Sequence, residues 1–442
     1  MFGPLPTWRL IACAFLPFAA GYYLAYLFRT INTLIAGRLA FDLGLGAAEM
    51  GLLTSVYFLV VMAAQIPIGM CLDRFGPRRV QGALLAVAAV GAALFALSTG
   101  FLSLLIARAM IGLGSAASLM SGLKIIVLWF PKERMAVING LMIMLGSFGA
   151  VTATAPAEVV LDRVGWRGLF GALAAVTALA AVLIHVVVPE RRTRPQPSGK
   201  SVSLRTVYSD ARFWRIAPLS ATCIGSAWAL QSLWAAPWLC DVERLDRASL
   251  VNELFLMAVA LSFSALGLGG LANWVRHRGK KTEAVLAAVA VMLLGAELVL
   301  ILHPPWPSLL PWFVVSVAGS ATALTYAIIG DYFPTHLVAR ANGALNVLQF
   351  GWAFVVQYGT GLILEHWPLE AGHYPLIAYQ AAFGVNMLLQ LAALVWFSVP
   401  SGRKRKAEAP AISLAAGGRS SVEVVVPAAD LVLLEGDEHA EW

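Results

Sequence analysis

Two short loop signatures occur twice in this chain of 442 residues, about 200 positions apart. A Phe-Pro pair followed by an Asn-Gly pair spans residues 130–140 and returns at 333–343, which is a shift of 203 positions. The glycine- and arginine-rich loop 69–79 has a weaker counterpart at 269–281, where the shift is 200. Apolar sequence surrounds both copies. Since parallel repeats of this kind build a site between two homologous halves, the sequence predicts a chain made of two related halves.

Composition indicates that both halves lie in a membrane. Hydrophobic residues make up 60% of the chain and charged residues only 12%, against roughly 25% charge in soluble domains. The net charge of +7 does not indicate nucleic-acid binding, because the basic residues fall in short loops between apolar runs. The four cysteines show no Cys-x-x-Cys spacing, so neither a metal site nor a disulfide framework is expected.

The apolar runs predict an all-α integral membrane protein with twelve transmembrane helices in two pseudo-symmetric six-helix bundles. Each run reaches the roughly 20 residues that a helix needs to cross a bilayer. The predicted spans are 10–36, 50–71, 80–98, 101–129, 135–160, 166–188, 213–240, 250–274, 283–302, 309–333, 340–365 and 373–398. The expected domains are an N-terminal bundle at 1–188, a basic cytoplasmic linker at 189–212, a C-terminal bundle at 213–400 and a disordered cytoplasmic tail at 401–442.

Loop charge predicts the orientation. Most Lys and Arg residues fall in loops on one side, namely 73–79, 131–134, 190–215, 276–281, 336–340 and 403–406. The opposite loops, such as 98–100 and 303–308, are short and carry little positive charge. Positive loops mark the cytoplasmic side, so both termini and the central linker are expected inside, in an inner (plasma) membrane.

Two motifs carry a family resemblance. The loop between the second and third spans reads Gly-x-x-x-Asp-Arg-x-Gly-x-Arg-Arg, and the fourth span contains Arg108-x-x-x-Gly112-x-Gly114. Together with twelve spans and a basic central loop, these motifs resemble the major facilitator superfamily over about residues 9–400. The resemblance implies alternating access about a cavity lined by helices 1, 4, 7 and 10. The gating residues that it implies are Gly69, Asp73, Arg74, Gly76 and Arg78.

Within that loop, the resemblance gives Asp73 a specific role. It implies that the carboxylate steadies the outward-open state through a charge contact with a neighbouring helix end. The second copy has Asn273 at the matching position, so the latch is expected to be asymmetric.

Charged residues inside the spans are the main candidates for substrate binding, because burying a charge in a membrane is costly. Arg29 shares one helical face with Tyr22, Tyr26 and Thr33. Arg108 is expected at a similar depth, where one ligand could contact both arginines, although it could instead bond to backbone carbonyls. Lys124 lies farther along the fourth span, either lining the cavity or extending to the headgroups.

Polar and aromatic residues of the second half complete the candidate cavity. At helical spacing they could equally form interhelical hydrogen bonds or packing contacts. They are Trp228, Gln231 and Trp234 on helix 7, Thr322, Thr325 and Tyr326 on helix 10, and Asn346 and Gln349 on helix 11. Pro237 could break helix 7 locally.

The substrate is expected to be a small anion. The Tyr-rich stretch 21–29 resembles the first helix of organophosphate:phosphate antiporters, where such a segment ends in a substrate-binding arginine. The loop 128–134 is similar to that group and to nitrate/nitrite porters. Those antiporters have a second arginine in helix 7, whereas residues 223–237 contain no cation, so a monoanion such as a carboxylate fits better than a dianionic phosphate.

Coupling is left open between a proton and a counter-anion. Glu158, Glu297 and Asp331 are expected near helix ends, in solvated or capping roles. No cofactor, metal ion or nucleic acid is expected, and the protein is predicted to act as a monomer in the lipid bilayer. An enzyme is not expected, because the sequence offers no nucleophile–base constellation.

Two alternatives remain. One is a proton-coupled exporter of apolar or cationic compounds, which the many aromatic residues favour. Ala155-Pro156 stands where the drug-antiporter signature of helix 5 is expected, and this counts against it. The other is a transporter-like solute sensor that acts through a membrane partner.

Overall fold

The computed structural model describes residues 10–131, 134–189, 204–279 and 281–399, and the predicted tail at 401–442 lies outside this range. Within the described part, twelve long helices, named α1 to α12, follow one another along the chain. Their bounds are α1 Ile11–Leu43, α2 Ala47–Phe75, α3 Pro77–Leu97, α4 Phe101–Trp129, α5 Met135–Thr152, α6 Ala155–Val187, α7 Ala211–Ala229 continued by Leu230–Trp234 and Ala235–Asp241, α8 Arg247–His277, α9 Thr282–Leu302, α10 Leu309–Tyr332, α11 Thr335–Leu364 and α12 Leu376–Ser398.

Ten of these helices are long and apolar enough to cross a membrane, judged over the described residues. The two exceptions have simple causes. The apolar part of α5 is shorter, Ile138–Thr152. Helix α7 carries many serine, threonine and glutamine residues between its apolar ones, which lowers its hydropathy. The all-α membrane fold predicted from the apolar runs is therefore confirmed.

The break that the sequence predicts near residues 160–166 is present at Gly165. The helical range Ala155–Val187 departs from helical geometry there, with a left-handed φ of 65° that a residue with a Cβ adopts rarely. A second interruption, which the sequence does not predict, separates Thr152 from Ala155 inside the predicted span 135–160. Pro156 explains it, because proline has no N–H and fits the first turn of a helix.

Prolines also explain the wide turns in α1 and α7. A single π-helical turn occupies Ile11–Phe15 in α1 and Leu230–Trp234 in α7. Pro17 and Pro237 follow these turns, and each ring clashes with the carbonyl four residues earlier. The turn in α7 thus lies where the sequence predicts a local break at Pro237.

The end of the predicted linker packs against the second half. Leu204–Tyr208 forms a short helix, and Val207 is fully buried. The Tyr208 ring lies 5.5 Å from the ring of Phe213, centroid to centroid. This part of the interval 189–212 is therefore ordered structure and not free chain, because its apolar side chains have a surface to cover.

Two faces of the molecule need names. The linker face carries the loop at Gly76 and the chain between α6 and α7, and the distal face carries the α1–α2, α7–α8 and α11–α12 loops. Helices α2 and α11 approach most closely on the distal side, where a Cβ on Gly361 would lie 2.5 Å from the carbonyl oxygen of Ala47. Only glycine permits this distance. The structure is thus a conformation closed at the distal face.

Candidate functional site

Arg29 is a buried cation at the boundary between the two halves. Its residue is 8% exposed, and the guanidinium carbon lies 4.0 Å from the ring centroid of Tyr26 and 5.1 Å from that of Trp228. Tyr26 belongs to α1 and Trp228 to α7, so both halves enclose the charge. The Nη2 atom has no hydrogen-bond partner among the described residues. Because a buried donor without a partner is costly, this group is suited to a ligand with acceptor oxygens.

Arg108 fixes the backbone beside Arg29. Its Nη1 donates to the carbonyl of Phe28 at 2.6 Å. With the Asn32 amide assigned so that its oxygen faces the guanidinium, that oxygen accepts from Nη2 at 3.1 Å and Nε at 3.2 Å. The guanidinium also lies 4.9 Å from the ring centroid of Tyr57. All three nitrogens are occupied within the protein, so in this conformation Arg108 holds α1 against α4 and presents no free donor to a ligand shared with Arg29.

Phenol groups from both halves surround the site. The rings of Tyr22 and Tyr26 meet edge to face, with centroids 5.1 Å apart. The Tyr326 hydroxyl donates to Oδ1 of Asn346 at 2.8 Å, and Tyr326 lies within electrostatic range of both other phenols. A Cβ on Gly146 of α5 would lie 2.1 Å from the ring of Tyr22, so this glycine makes room for the ring. Tyr22, Tyr26, Tyr326 and Asn346, which the sequence predicts as cavity residues, therefore lie close to one another.

Thr33 connects the halves one turn farther toward the distal face. Its hydroxyl donates to the backbone carbonyl of Gln231 at 3.0 Å, and the Gln231 amide donates to Ser316 at 3.3 Å. A small cavity lies beside this contact, between α1, α5, α7 and α8. Its lining includes Thr30, Thr33, Ala150, Thr154, Gln231 and Met257.

The other predicted residues of the second half make contacts within that half. The Trp234 indole donates to the Gln357 carbonyl at 3.0 Å. The Gln349 amide donates to Ser220 at 2.8 Å, and Thr325 donates to its own helix at Thr322, also at 2.8 Å. The first two of these bonds hold α7 and α11 together, and the third stays within α10. In this conformation they support the site rather than face Arg29.

Lys124 lies at the linker face and not beside Arg29. Its ammonium contacts Oδ1 of Asp73 at 2.7 Å and the carbonyl oxygen of Leu72 at 2.7 Å. The Asp73 side chain is 84% exposed. The contact of Asp73 with a helix end, which the resemblance implies for the outward-open state, stays a prediction; in this structure the partner of Asp73 is the Lys124 side chain on α4. That lysine also donates to the Leu72 carbonyl in the last turn of α2.

The remaining predicted gating residues shape the turn between α2 and α3. Gly76 has a φ of 79°, which favours glycine. Arg74 stacks on the ring of Phe75 at 5.1 Å, and Arg78 donates to the carbonyl of His185 at the end of α6. Gly69 has open space where a Cβ would stand.

The second half has a comparable pair with reversed charge. Arg276, near the end of α8, lies 3.6 Å from Asp331 near the end of α10. In the first half the acid is on α2 and the base on α4. Asp331 therefore lies near a helix end, as predicted, and forms an exposed ion pair.

An ion-pair cluster that the sequence did not predict joins the halves at the distal face. Arg247 of α8 contacts Glu158 of α6 through two bonds, Nε to Oε1 at 2.7 Å and Nη2 to Oε2 at 2.6 Å. Arg38 of α1 contacts the same carboxylate at 3.0 Å. Glu158 is therefore neither solvated nor a simple cap, because two arginines surround it. Both arginines lie outside the predicted spans, which explains why the search for charges within spans did not find this cluster.

Comparisons with known proteins agree with this architecture. A family profile described as Major Facilitator Superfamily matches residues 18–357. A crystal structure of a bacterial homologue of the human lysosomal transporter Spinster, described as inward-facing and unoccupied, superposes with a TM-score of 0.69. It has 18% sequence identity, and the match covers 89% of this chain and 95% of that chain. The likeness confirms the predicted fold class.

Curated relatives are anion transporters by name. The chain is 24% identical over 352 residues to the nitrate/nitrite transporter of Nostoc punctiforme, which covers 70% of this chain and 66% of that protein's length, slightly under two thirds. It is 23% identical over 424 residues to the hexuronate transporter of Escherichia coli, which covers 89% of this chain and 93% of that protein.

Proposed function

Because the chain belongs to the major facilitator superfamily, we propose that it is a secondary transporter that moves a small organic anion by alternating access. The observation that carries this proposal is the Arg29 guanidinium, which is enclosed by both halves and has an unused Nη2 donor. An anion that binds there contacts both halves at once. Binding is then coupled to the relative position of the halves, which is what alternating access requires.

The substrate is proposed to be a monoanion with hydroxyl groups or an apolar body. Arg29 is the one buried arginine with a free donor among the described residues, since the nitrogens of Arg108 are occupied. One guanidinium fork matches one carboxylate. The phenols of Tyr22, Tyr26 and Tyr326 can bond to hydroxyl groups, and the Trp228 ring can cover an apolar face. The similarity to a relative named hexuronate transporter supports an organic acid of about the size of a hexuronate as the substrate.

Counterflow in proteoliposomes tests this function. The panel contains D-glucuronate, L-galactonate, sulfoacetate and nitrate, with D-glucose as the uncharged match of D-glucuronate and tetraphenylphosphonium as a lipophilic cation. We expect exchange of at least one organic acid and none of D-glucose, because the carboxylate provides the contact with Arg29. Exchange of the cation alone would favour an exporter, and ligand binding without any exchange would favour a sensor. Either result would overturn the proposal.

We propose that the protein lies in the inner membrane and that its linker face is on the cytoplasmic side. Positive charge concentrates in the linker-face loops, which supports this assignment. In this orientation the two bundles, 1–188 and 213–400, both have cytoplasmic ends, and the distal face is outside. A phosphatase reporter fused after Lys200 should be inactive, and a fluorescent protein fused there should fluoresce. The opposite pattern would reverse the orientation.

A further inference from the structure

Four charged side chains are buried among the described residues, and one of them has no role so far. They are Arg29, Arg108, Glu158 and Glu297. Arg29 is the proposed anion site, Arg108 binds the α1 backbone, and Glu158 is neutralised by two arginines. Glu297 has an exposure of 0% and lies inside α9, five residues before its last residue, Leu302. The expectation of a solvated or capping role for Glu297 is therefore wrong.

The surroundings of Glu297 are polar but uncharged. Oε1 accepts from the Gln390 amide at 2.6 Å and from the Asn386 amide at 3.1 Å, and Oε2 accepts from Asn386 at 3.3 Å. The titratable group facing it from α7 is the Cys223 thiol. Helices α8, α10 and α12 also pack against α9, and within the described residues they bring no charged group into contact with this carboxyl. An ionised carboxylate here has no counter-charge.

A chain of hydrogen bonds connects Glu297 to α7, which carries part of the anion site. The Ser226 hydroxyl donates to Oδ1 of Asn386 at 2.8 Å and accepts from the Trp352 indole at 3.0 Å. Ser226 lies two residues before Trp228, whose ring faces Arg29. The same short segment of α7 therefore connects to the acid through Asn386 and lines the anion site through Trp228.

We propose that Glu297 is a proton-binding site, and that the proton it takes from water accompanies the anion bound at Arg29. Only the second part of this inference, that the proton accompanies the anion, rests on the proposed function. Burial without a cation favours the neutral acid, because an isolated buried charge is costly. Three N–H contacts from neutral amides stabilise the carboxylate. These opposing effects keep both forms accessible, as a site that binds and releases a proton requires.

Charge accounting supports the pairing of the two sites. Among the described residues of the empty protein, Arg29 and Arg108 are buried cations without a counter-charge, and Glu297 is a buried acid without a cation. Arg108 is satisfied by a carbonyl and an amide oxygen, whereas Arg29 keeps a free donor, so the pairing concerns Arg29 and Glu297. Binding one monoanion and one proton neutralises both of these groups, which lowers the electrostatic cost of moving the loaded halves relative to each other in the bilayer. The predicted stoichiometry is one proton for each monoanion.

The first experiment needs no substrate. Infrared difference spectra of the purified full chain in lipid, recorded across a pH titration, should show the carbonyl stretch of a protonated carboxyl group. The band should be absent in Glu297→Gln. Gln390→Leu removes one N–H donor from the carboxylate, so the pH at which the band disappears should rise in this variant. A spectrum without such a band in the wild type, or a titration unchanged by Gln390→Leu, would overturn the proton site.

The second experiment tests coupling with D-glucuronate, or the panel acid that exchanges fastest. Glu297→Gln should keep counterflow but lose accumulation driven by a pH gradient, a loss of at least tenfold. Glu283→Gln is the matched control, because Glu283 lies on the same helix, accepts from Tyr332 at 3.0 Å and should accumulate substrate normally. If Glu297→Gln does not fold, the wild type is used instead, and the pH dye pyranine inside the proteoliposomes reports whether protons enter together with the acid. Normal accumulation by Glu297→Gln, or no proton uptake, would overturn the coupling. A panel without any exchange would instead refute the proposed function and leave the infrared result standing.

Discussion

Replacing Arg29 by alanine should weaken binding of the transported acid by about 30- to 150-fold, since a charge-assisted contact in a partly desolvated site contributes ~2–3 kcal/mol. Arg29→Lys keeps the charge but loses the planar fork, so it should restore binding only in part. Isothermal titration or scintillation proximity binding, with the panel acid that exchanges fastest, measures both affinities.

The stability of the empty protein separates a ligand role from a structural one. Nη2 of Arg29 has no hydrogen-bond partner in the part of the chain that the structure describes, so removing this buried cation should leave the melting temperature in detergent unchanged or slightly raise it. Arg278→Ala is the control for net charge, because Arg278 stacks on Trp274 near the linker face, away from the site. If folded Arg29→Ala binds the acid as tightly as wild type, the anion site is elsewhere. A large drop in melting temperature would make Arg29 a structural residue.

The sequence was sufficient for the fold because the signals that define it are local. Apolar runs of bilayer length predict helices wherever they occur, and the repeated cassette at 130–140 and 333–343 marks equivalent positions in two halves. One detail was missed where a single residue overrides composition. Pro156 begins a new helical segment inside the predicted span 135–160. Hydropathy averages over many residues, so it does not register this effect.

The sequence was less informative about which charged residues face a ligand. Arg29, Arg108 and Lys124 are all cations within apolar spans, and the sequence left a carbonyl contact open for Arg108 and a headgroup contact open for Lys124. They differ in what lies across the helix interface: rings for Arg29, a carbonyl and an amide for Arg108, and Asp73 for Lys124. Helical spacing gives the face of one helix but not its neighbour. Glu297 was misjudged for the same reason, since its partners lie about 90 residues away on α12.

The distal ion-pair cluster gives the second large effect. Arg247→Ala should increase opening of the distal face by about 5- to 30-fold, because the lost contacts contribute ~1–2 kcal/mol after allowance for solvent screening. Arg247 bonds twice to Glu158 and once to the carbonyl of Leu34, so its removal releases three bonds between α8 and the first half at once. A thiol at position 30 reports the opening, because Thr30 lines the cavity behind the cluster and is 8% exposed.

The measurement uses Thr30→Cys in a protein whose four native cysteines are replaced by alanine. A membrane-impermeant maleimide is added from the distal side, and the labelling rate is compared with and without Arg247→Ala. Asp162→Asn is the matched control, because Asp162 pairs with Arg38 inside the first half and does not bridge the halves. Its labelling rate should equal that of the parent. Equal rates for Arg247→Ala and the parent would mean that the helix contacts at Gly361, and not the ion pairs, hold the distal face closed. Faster labelling of both variants would point to a loosened first half rather than an opened gate.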